Sequence, residues 1–196
     1  MKRASLAIIT LFSASLVLTS CKTRQVERID PSQQTDLSGR WNDTDSRLVS
    51  NEMISDCMSR PWRTDFQTAK GKKPVVIVGT VRNKTTEHIE PETFIKDMEK
   101  AFINSGLVSV VQAGDARKEL REERNDQQTF SSEDTKKKWG LEKGADFMMN
   151  GVITSLVDQY GNNKVVYYQV DLELTNLETN EKVWIGDKKI KKAIKN

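Results

Sequence analysis

The sequence predicts an α/β protein built on a mixed sheet. Three observations point there. Residues 75–81, VVIVGTV, are a continuous β-branched run, the kind carried by a strand buried on both faces. Residues 164–175 alternate: Val166, Tyr168, Val170, Leu172 and Leu174 face one way, Gln169, Asp171 and Glu173 the other. That is the period of a half-buried antiparallel strand. Before and between these runs, apolar residues recur at helical spacing. The expected order is helix, strand, helix, strand, two helices, then three strands joined by tight turns. Such an order gives a mixed sheet with an antiparallel meander at its C-terminal side.

The elements follow in order. Residues 1–20 have the parts of a secretory signal: Lys2 and Arg3, then a mostly apolar run from Leu6 to Leu18. That run is too short to span a bilayer comfortably. It ends in Leu18-Thr19-Ser20-Cys21, which resembles the lipobox of bacterial lipoproteins. The resemblance implies that the Cys21 thiol takes a diacylglycerol and that cleavage exposes Cys21 as the new N-terminus, an anchor that rests on buried acyl methylenes. Lys22 follows Cys21, which by the same resemblance favours the outer membrane, and no acidic run suggests display outside it.

Residues 21–38 are expected to be an acylated flexible tether, polar and without an apolar period. Residues 39–196 are expected to be one globular domain, long enough for a single core. Residues 42–58 read as a helix. Asp43 or Asp45 caps its start; Leu48, Val49, Met53, Ile54, Cys57 and Met58 form one face; Pro61 ends it. After the strand at 75–81, Pro91 suits a helix start and Gly106 a left-handed stop. Residues 107–112 make a second strand. Asp115 caps a very polar helix whose interior holds one apolar residue, Leu120. A further helix is expected from Ser131 or Ser132 to near Gly144. Residues 147–157 form a third strand, Gly161-Asn162-Asn163 a turn, and Glu178-Thr179-Asn180 the turn into a last strand over 181–190. A basic tail follows.

Composition limits the function. Removal of residues 1–20 leaves 29 basic and 28 acidic side chains. That balance argues against a nucleic-acid binder, which carries a basic footprint. Beyond Cys21 there is one cysteine, Cys57, and His88 is the sole histidine. Neither an internal disulfide nor a Cys/His metal site can be built from them. Cys57 reads as a small buried helix residue, with an intermolecular disulfide or reactive thiol as its alternative. No G-x-S-x-G, H-E-x-x-H or phosphate-binding glycine loop occurs. Hence no catalytic residue, cofactor or metal is expected. The lysines at 136–138 and at 188, 189, 191, 192 and 195 read as solvated charge, or as contacts to an anionic partner. Trp41, Trp62, Trp139 and Trp184 read mainly as plugs at core edges.

The stretches SGRWNDTDSRLVSNEMI, PVVIVGTVRNKTTEHIEPETFIKDMEKAFINSG, EKGADFMMNGVITS and YYQVDLELTNLETNEKVW together resemble the LpoB family. These are outer-membrane lipoprotein activators of penicillin-binding proteins. The resemblance covers about residues 38–190 and adds to the lipobox. It implies a domain similar to the N-terminal domain of TolB and a tether to the acylated cysteine. It also implies a non-enzymatic role: docking on a bifunctional peptidoglycan synthase and stimulating glycan polymerisation and cross-linking. The tether here is shorter than the long, proline-rich one of the best-known members. Candidate partner contacts are Arg40, Trp41, Arg82, Asn83 and Lys84, where loops meet element ends; capping and edge packing are the structural alternative. The rival reading is a periplasmic assembly or secretion factor related to the curli-secretion lipoproteins.

Overall fold

The computed structural model describes residues 26–137 and 140–195. The signal segment, Cys21, Lys138 and Trp139 lie outside them. Residues 26–33 belong to a first unit, and the folded body begins at Gln34.

The body opens with α1 (Asp43–Ser59). Its cap is Asn42, one residue before the expected Asp43. The Asn42 side chain accepts from the Asp45 backbone N–H at 3.1 Å, and the Asp45 carboxylate accepts from the Asn42 N–H at 2.9 Å. Asp45 therefore supplies the return half of a capping box and is not the cap itself. Val49, Met53 and Cys57 are buried along one stripe. Leu48, expected on that face, is 41% exposed.

Pro61 ends α1, and a second short helix follows, α2 (Trp62–Lys70). No period in the sequence announces it. Its buried residues are only Trp62 and Phe66, too few to establish a period. Both rings meet Phe147 edge-on, at centroid distances of 5.3 and 5.2 Å.

The sheet holds β1 (Val75–Asn83), β2 (Ser109–Val111), β3 (Phe147–Tyr160), β4 (Asn163–Asn176) and β5 (Lys182–Lys195) in the order β2-β1-β3-β4-β5. β1 pairs in parallel with β2 and β3, while β3, β4 and β5 are antiparallel. The mixed sheet and its C-terminal meander are as the sequence predicts. The five alternating residues of β4 are all buried, and Tyr168 and Leu174 are fully so. The β1–β3 register shifts between Val78 and Val81. Gly79 makes that bulge possible: a Cβ there would run into the Asn150 side-chain oxygen and lie 3.1 Å from the Met149 carbonyl.

Two helices cross between the parallel strands: α3 (Glu92–Ser105) and α4 (Gly114–Phe130). α3 starts after Pro91 and stops at Gly106, whose φ is 67°. It buries Phe94, Met98 and Phe102 against a core shared with α1 and the sheet. The chain steps from β1 to β2 one way and returns past β1 to β3. Right-handed crossovers then put α3 and α4 on opposite faces. α4 begins after Ala113, with no side-chain cap. Asp115, expected as its cap, sits in the first turn and pairs with Lys118 at 2.7 Å. No α4 residue is fully buried.

Two expectations are corrected. The helix expected near 131–144 is absent among the described residues of that stretch. One turn forms, with the Thr135 and Lys136 N–H groups donating to the Ser132 carbonyl. Gly140 and Gly144 disfavour a helix, and no apolar stripe there offsets that cost. The basic tail, in turn, is strand: β5 runs to Lys195, paired with β4 as far as Asn163. Ile190 pairs with Tyr168 and helps seal the core, which explains why so charged a segment stays ordered.

Candidate functional site

The sequence-predicted residues fall on two neighbouring pieces of chain. Arg40 and Trp41 lie in the segment before α1. Arg82 and Asn83 end β1, and Lys84 opens the loop to α3. Glu87, in that loop, joins the two pieces. Its carboxylate accepts from the Trp41 backbone N–H at 3.0 Å and from the Tyr168 hydroxyl at 2.6 Å. Burial first, then the bond to Glu87, pushes the Tyr168 hydroxyl above its ordinary pKa. It therefore stays a donor. Nothing in the sequence singles out Glu87, one acid in a polar loop.

The loop itself is fixed from within. Asn83 donates to the Glu87 carbonyl at 2.8 Å and accepts from the Thr85 N–H at 2.9 Å, an Asx-type turn. The Lys84 N–H continues the β3 ladder by donating to the Ile153 carbonyl at 2.8 Å. The Arg82 and Lys84 side chains are exposed, as is Arg40. Trp41 is half-buried. Its indole N–H donates to the Ser46 hydroxyl at 2.9 Å, and its ring meets Tyr168 edge-on at 5.5 Å.

The segment is locked on its other side by Lys192 of β5. The ammonium reaches Asp36 and Asp45 at 2.7 Å each and the Arg40 carbonyl at 3.0 Å. Burial lowers the Lys192 pKa, but the bonds to Asp36 and Asp45 outweigh burial and hold it above its ordinary value. Asp36 is held down to about 2, chiefly by Lys192, then by Gln34 and Asn42. One of the five C-terminal lysines singled out from sequence is thus a structural bolt. Lys188 is tied to Glu52 and Lys189 to Asp187.

On the sheet face that carries Asp171 and Glu173, Arg82 borders a cleft of about 420 Å³ with Asn150, Val152 and Ile185. A second cleft, of about 470 Å³, lies where the crossovers diverge, beside Glu92, Glu99, Lys96 and Arg117. Open α/β sheets commonly bind ligands at such a point. Here Lys96 is already paired with Glu99 at 2.7 Å. Cys57 is fully buried, and burial pushes its thiol up to about 12, so it stays a neutral thiol in the core. His88 projects into solvent near Glu90. Trp62 and Trp184 are buried, with indole N–H bonds to the Cys57 carbonyl and to Asp56. What the site offers is a rigid shoulder with cationic side chains, a surface suited to binding.

The family model "Peptidoglycan-synthase activator LpoB" matches residues 45–190. Solved structures similar to the chain include the LpoB C-terminal domain from Salmonella enterica, 17% identical. The match covers 66% of this chain and 93% of that one, with a TM-score of 0.35. The lipoprotein GNA1162 from Neisseria meningitidis is 12% identical, covering 62% and 84%, with a TM-score of 0.37. The PelC dodecamer from Paraburkholderia phytofirmans is 14% identical, covering 61% and 73%, with a TM-score of 0.34. No curated protein matches the sequence. The family match spans most of the folded body and its whole sheet as far as Ile190, and on that ground the chain belongs to the LpoB family of peptidoglycan-synthase activators.

Proposed function

We propose that this chain is a non-enzymatic outer-membrane lipoprotein, acylated at Cys21 and facing the periplasm, that binds and activates a bifunctional peptidoglycan synthase. The family match over residues 45–190 carries this reading. The LTSC stretch ending at Cys21 supports the anchor, and among the described residues no helix is long and apolar enough to cross a membrane. In this reading residues 1–20 are removed, the chain after Cys21 is a tether, and one body follows.

Activation is a shift in the synthase's population. The lipoprotein stimulates only so far as it binds the active state more tightly than the idle one. Arg82 and Lys84 are the side chains through which we expect docking, and Arg40 is exposed on the segment that Glu87 joins to their loop. Asn83 and Trp41 act by holding the loop and the segment in place. The test is binding of the purified chain to each bifunctional synthase of its organism. Replacing Arg82 and Lys84 together with alanine is expected to weaken binding at least tenfold while leaving the denaturation midpoint unchanged, on the order of two lost charge-assisted contacts. Unchanged affinity for the double variant would remove the shoulder as the docking site. No binding by the parent chain would remove the synthase as partner.

A further inference from the structure

The three-stranded ribbon β3–β4–β5 continues past the last β1–β3 pair, Asn83–Ile153, as far as Tyr160. At strand spacing this is an overhang of roughly 23 Å. Its tip is apolar and cationic together. Leu156 is 71% exposed and Tyr160 90%. Lys164, Lys191 and Lys195 lie on the paired strands beside them, with no ion-pair partner among the described residues. Asp158 is the carboxylate on this part of β3.

The chain enters the folded body at the same end. Residues Asp36–Gly39 line a cleft with Lys191–Lys195. Gly39, with φ at 68°, packs so closely on Ile194 that a Cβ would overlap that side chain. Lys192 binds Asp36 and the Arg40 carbonyl. Leu37, in this segment, is 93% exposed. From Gln34, where the body begins, back to Cys21 is a stretch of thirteen residues. Fully extended it reaches at most roughly 45 Å.

From these positions we infer that the ribbon tip docks on an anionic phospholipid surface, with Leu37, Leu156 and Tyr160 at the headgroup level and Lys164, Lys191 and Lys195 on the phosphates. The inference rests on the proposed anchor at Cys21. A short tether that joins the body beside the tip holds the tip near the bilayer at high effective concentration, so even weak docking is populated. Tyrosine and lysine are suited to that boundary, each with an apolar body and a polar end. Headgroup attraction adds for each lysine near the surface. The opposite end of the sheet differs: Lys70 and Lys182 there are paired with Glu178 and Glu173. Docked this way, the Arg82–Lys84 shoulder stands back from the membrane by the length of the overhang, free to meet a synthase.

The test uses the mature chain from Cys21, coupled through the Cys21 thiol to maleimide-bearing lipid in vesicles. Cys57 does not compete, being fully buried with its thiol pushed up to about 12. Lysine acetylation is followed by mass spectrometry on phosphatidylcholine vesicles with and without phosphatidylglycerol. On anionic vesicles, Lys164, Lys191 and Lys195 are expected to be protected about fivefold or more, the effect of one well-placed lysine–headgroup contact. Lys70 and Lys182 are expected to label as in solution. Tyr160→Ser with Lys191→Gln should restore tip labelling without moving the denaturation midpoint. Equal labelling at both ends, or protection equal on neutral vesicles, overturns the inference. Tip protection that appears in solution as protein concentration rises also overturns it, in favour of a second copy. Chemical coupling bypasses acylation, so failure of the anchor reading appears separately. In that case wild type and Cys21→Ala would partition alike in cell fractionation.

Discussion

Glu87 shows how one side chain can organise a site. It accepts from Trp41 and from Tyr168, and so joins the segment before α1, the β1–α3 loop and β4. Tyr168→Phe removes one of these bonds inside the core and is expected to cost about 1–2 kcal/mol, read as a lower denaturant midpoint with unchanged slope. Lys192 is the second bolt. Lys192→Met strands the buried Asp45 carboxylate, whose side chain is 4% exposed. Loss of a partner from such a pair is expected to cost about 2–3 kcal/mol, because Asp45 keeps its capping bond. The acid dependence has a definite sign. Asp36 has a folded pKa of about 2, below its ordinary 3.8, owing first to Lys192. Its contribution is complete above the ordinary value and fades as pH falls toward the folded one. Denaturation midpoints should therefore decline as pH falls from about 4 to about 2, and Asp36→Asn should flatten part of that decline. Neither bolt was legible in the sequence. Glu87 and Lys192 lie far along the chain from their partners, and nothing in their local context distinguishes them from the acids and lysines around them.

At the scale of elements, legibility followed periodicity. β4 shows its buried face in every second residue, and α3 shows a stripe between Pro91 and Gly106, so both were readable. α2 was not, since Trp62 and Phe66 define one turn only. Among the described residues the helix expected over 131–144 is absent because charge alone does not keep a helix folded: without a buried stripe it has nothing to pack against. The lysines of β5 mask its alternation with Ile190 and Ile194, so the strand extends beyond the expected 181–190 to Lys195. The two crossover helices should respond very differently to mutation. Phe102 in α3 is fully buried, and Phe102→Ala is expected to cost about 3–5 kcal/mol. Leu120 in α4 is 46% exposed, and Leu120→Gln is expected to stay within about 0.5 kcal/mol. Chemical denaturation of both variants checks the pair. A large loss at Leu120 would mean that α4 packs more deeply than its exposure indicates.

For the whole molecule, the order of the five strands along the chain and the mixed sheet were readable in advance; the helices were not all so, since α2 precedes β1 unannounced and, among the described residues, α4 alone leads from β2 to β3. The candidate site was readable only as a location. Arg40, Arg82 and Lys84 are exposed, whereas Trp41 is half-buried and Asn83, itself exposed, spends its side chain on the loop that presents them. For Trp41 the supporting role rests on Glu87 and Tyr168, far along the chain, which sequence does not bring together; for Asn83 it is a local Asx-type turn that its own loop closes. On the proposed reading the molecule divides its work by position: a ribbon tip on the tether side, a cationic shoulder, and a core that fixes their separation. The most direct test of the central claim is an activity measurement on the synthase. The mature chain carrying Cys21→Ser, and so free of acyl groups, would be titrated into each purified bifunctional synthase of the same organism while polymerisation and cross-linking are followed. The account predicts a saturable rise in rate with at least one of them, diminished by the Arg82→Ala, Lys84→Ala pair. Flat rates with every synthase, from a chain shown to be folded, would contradict it.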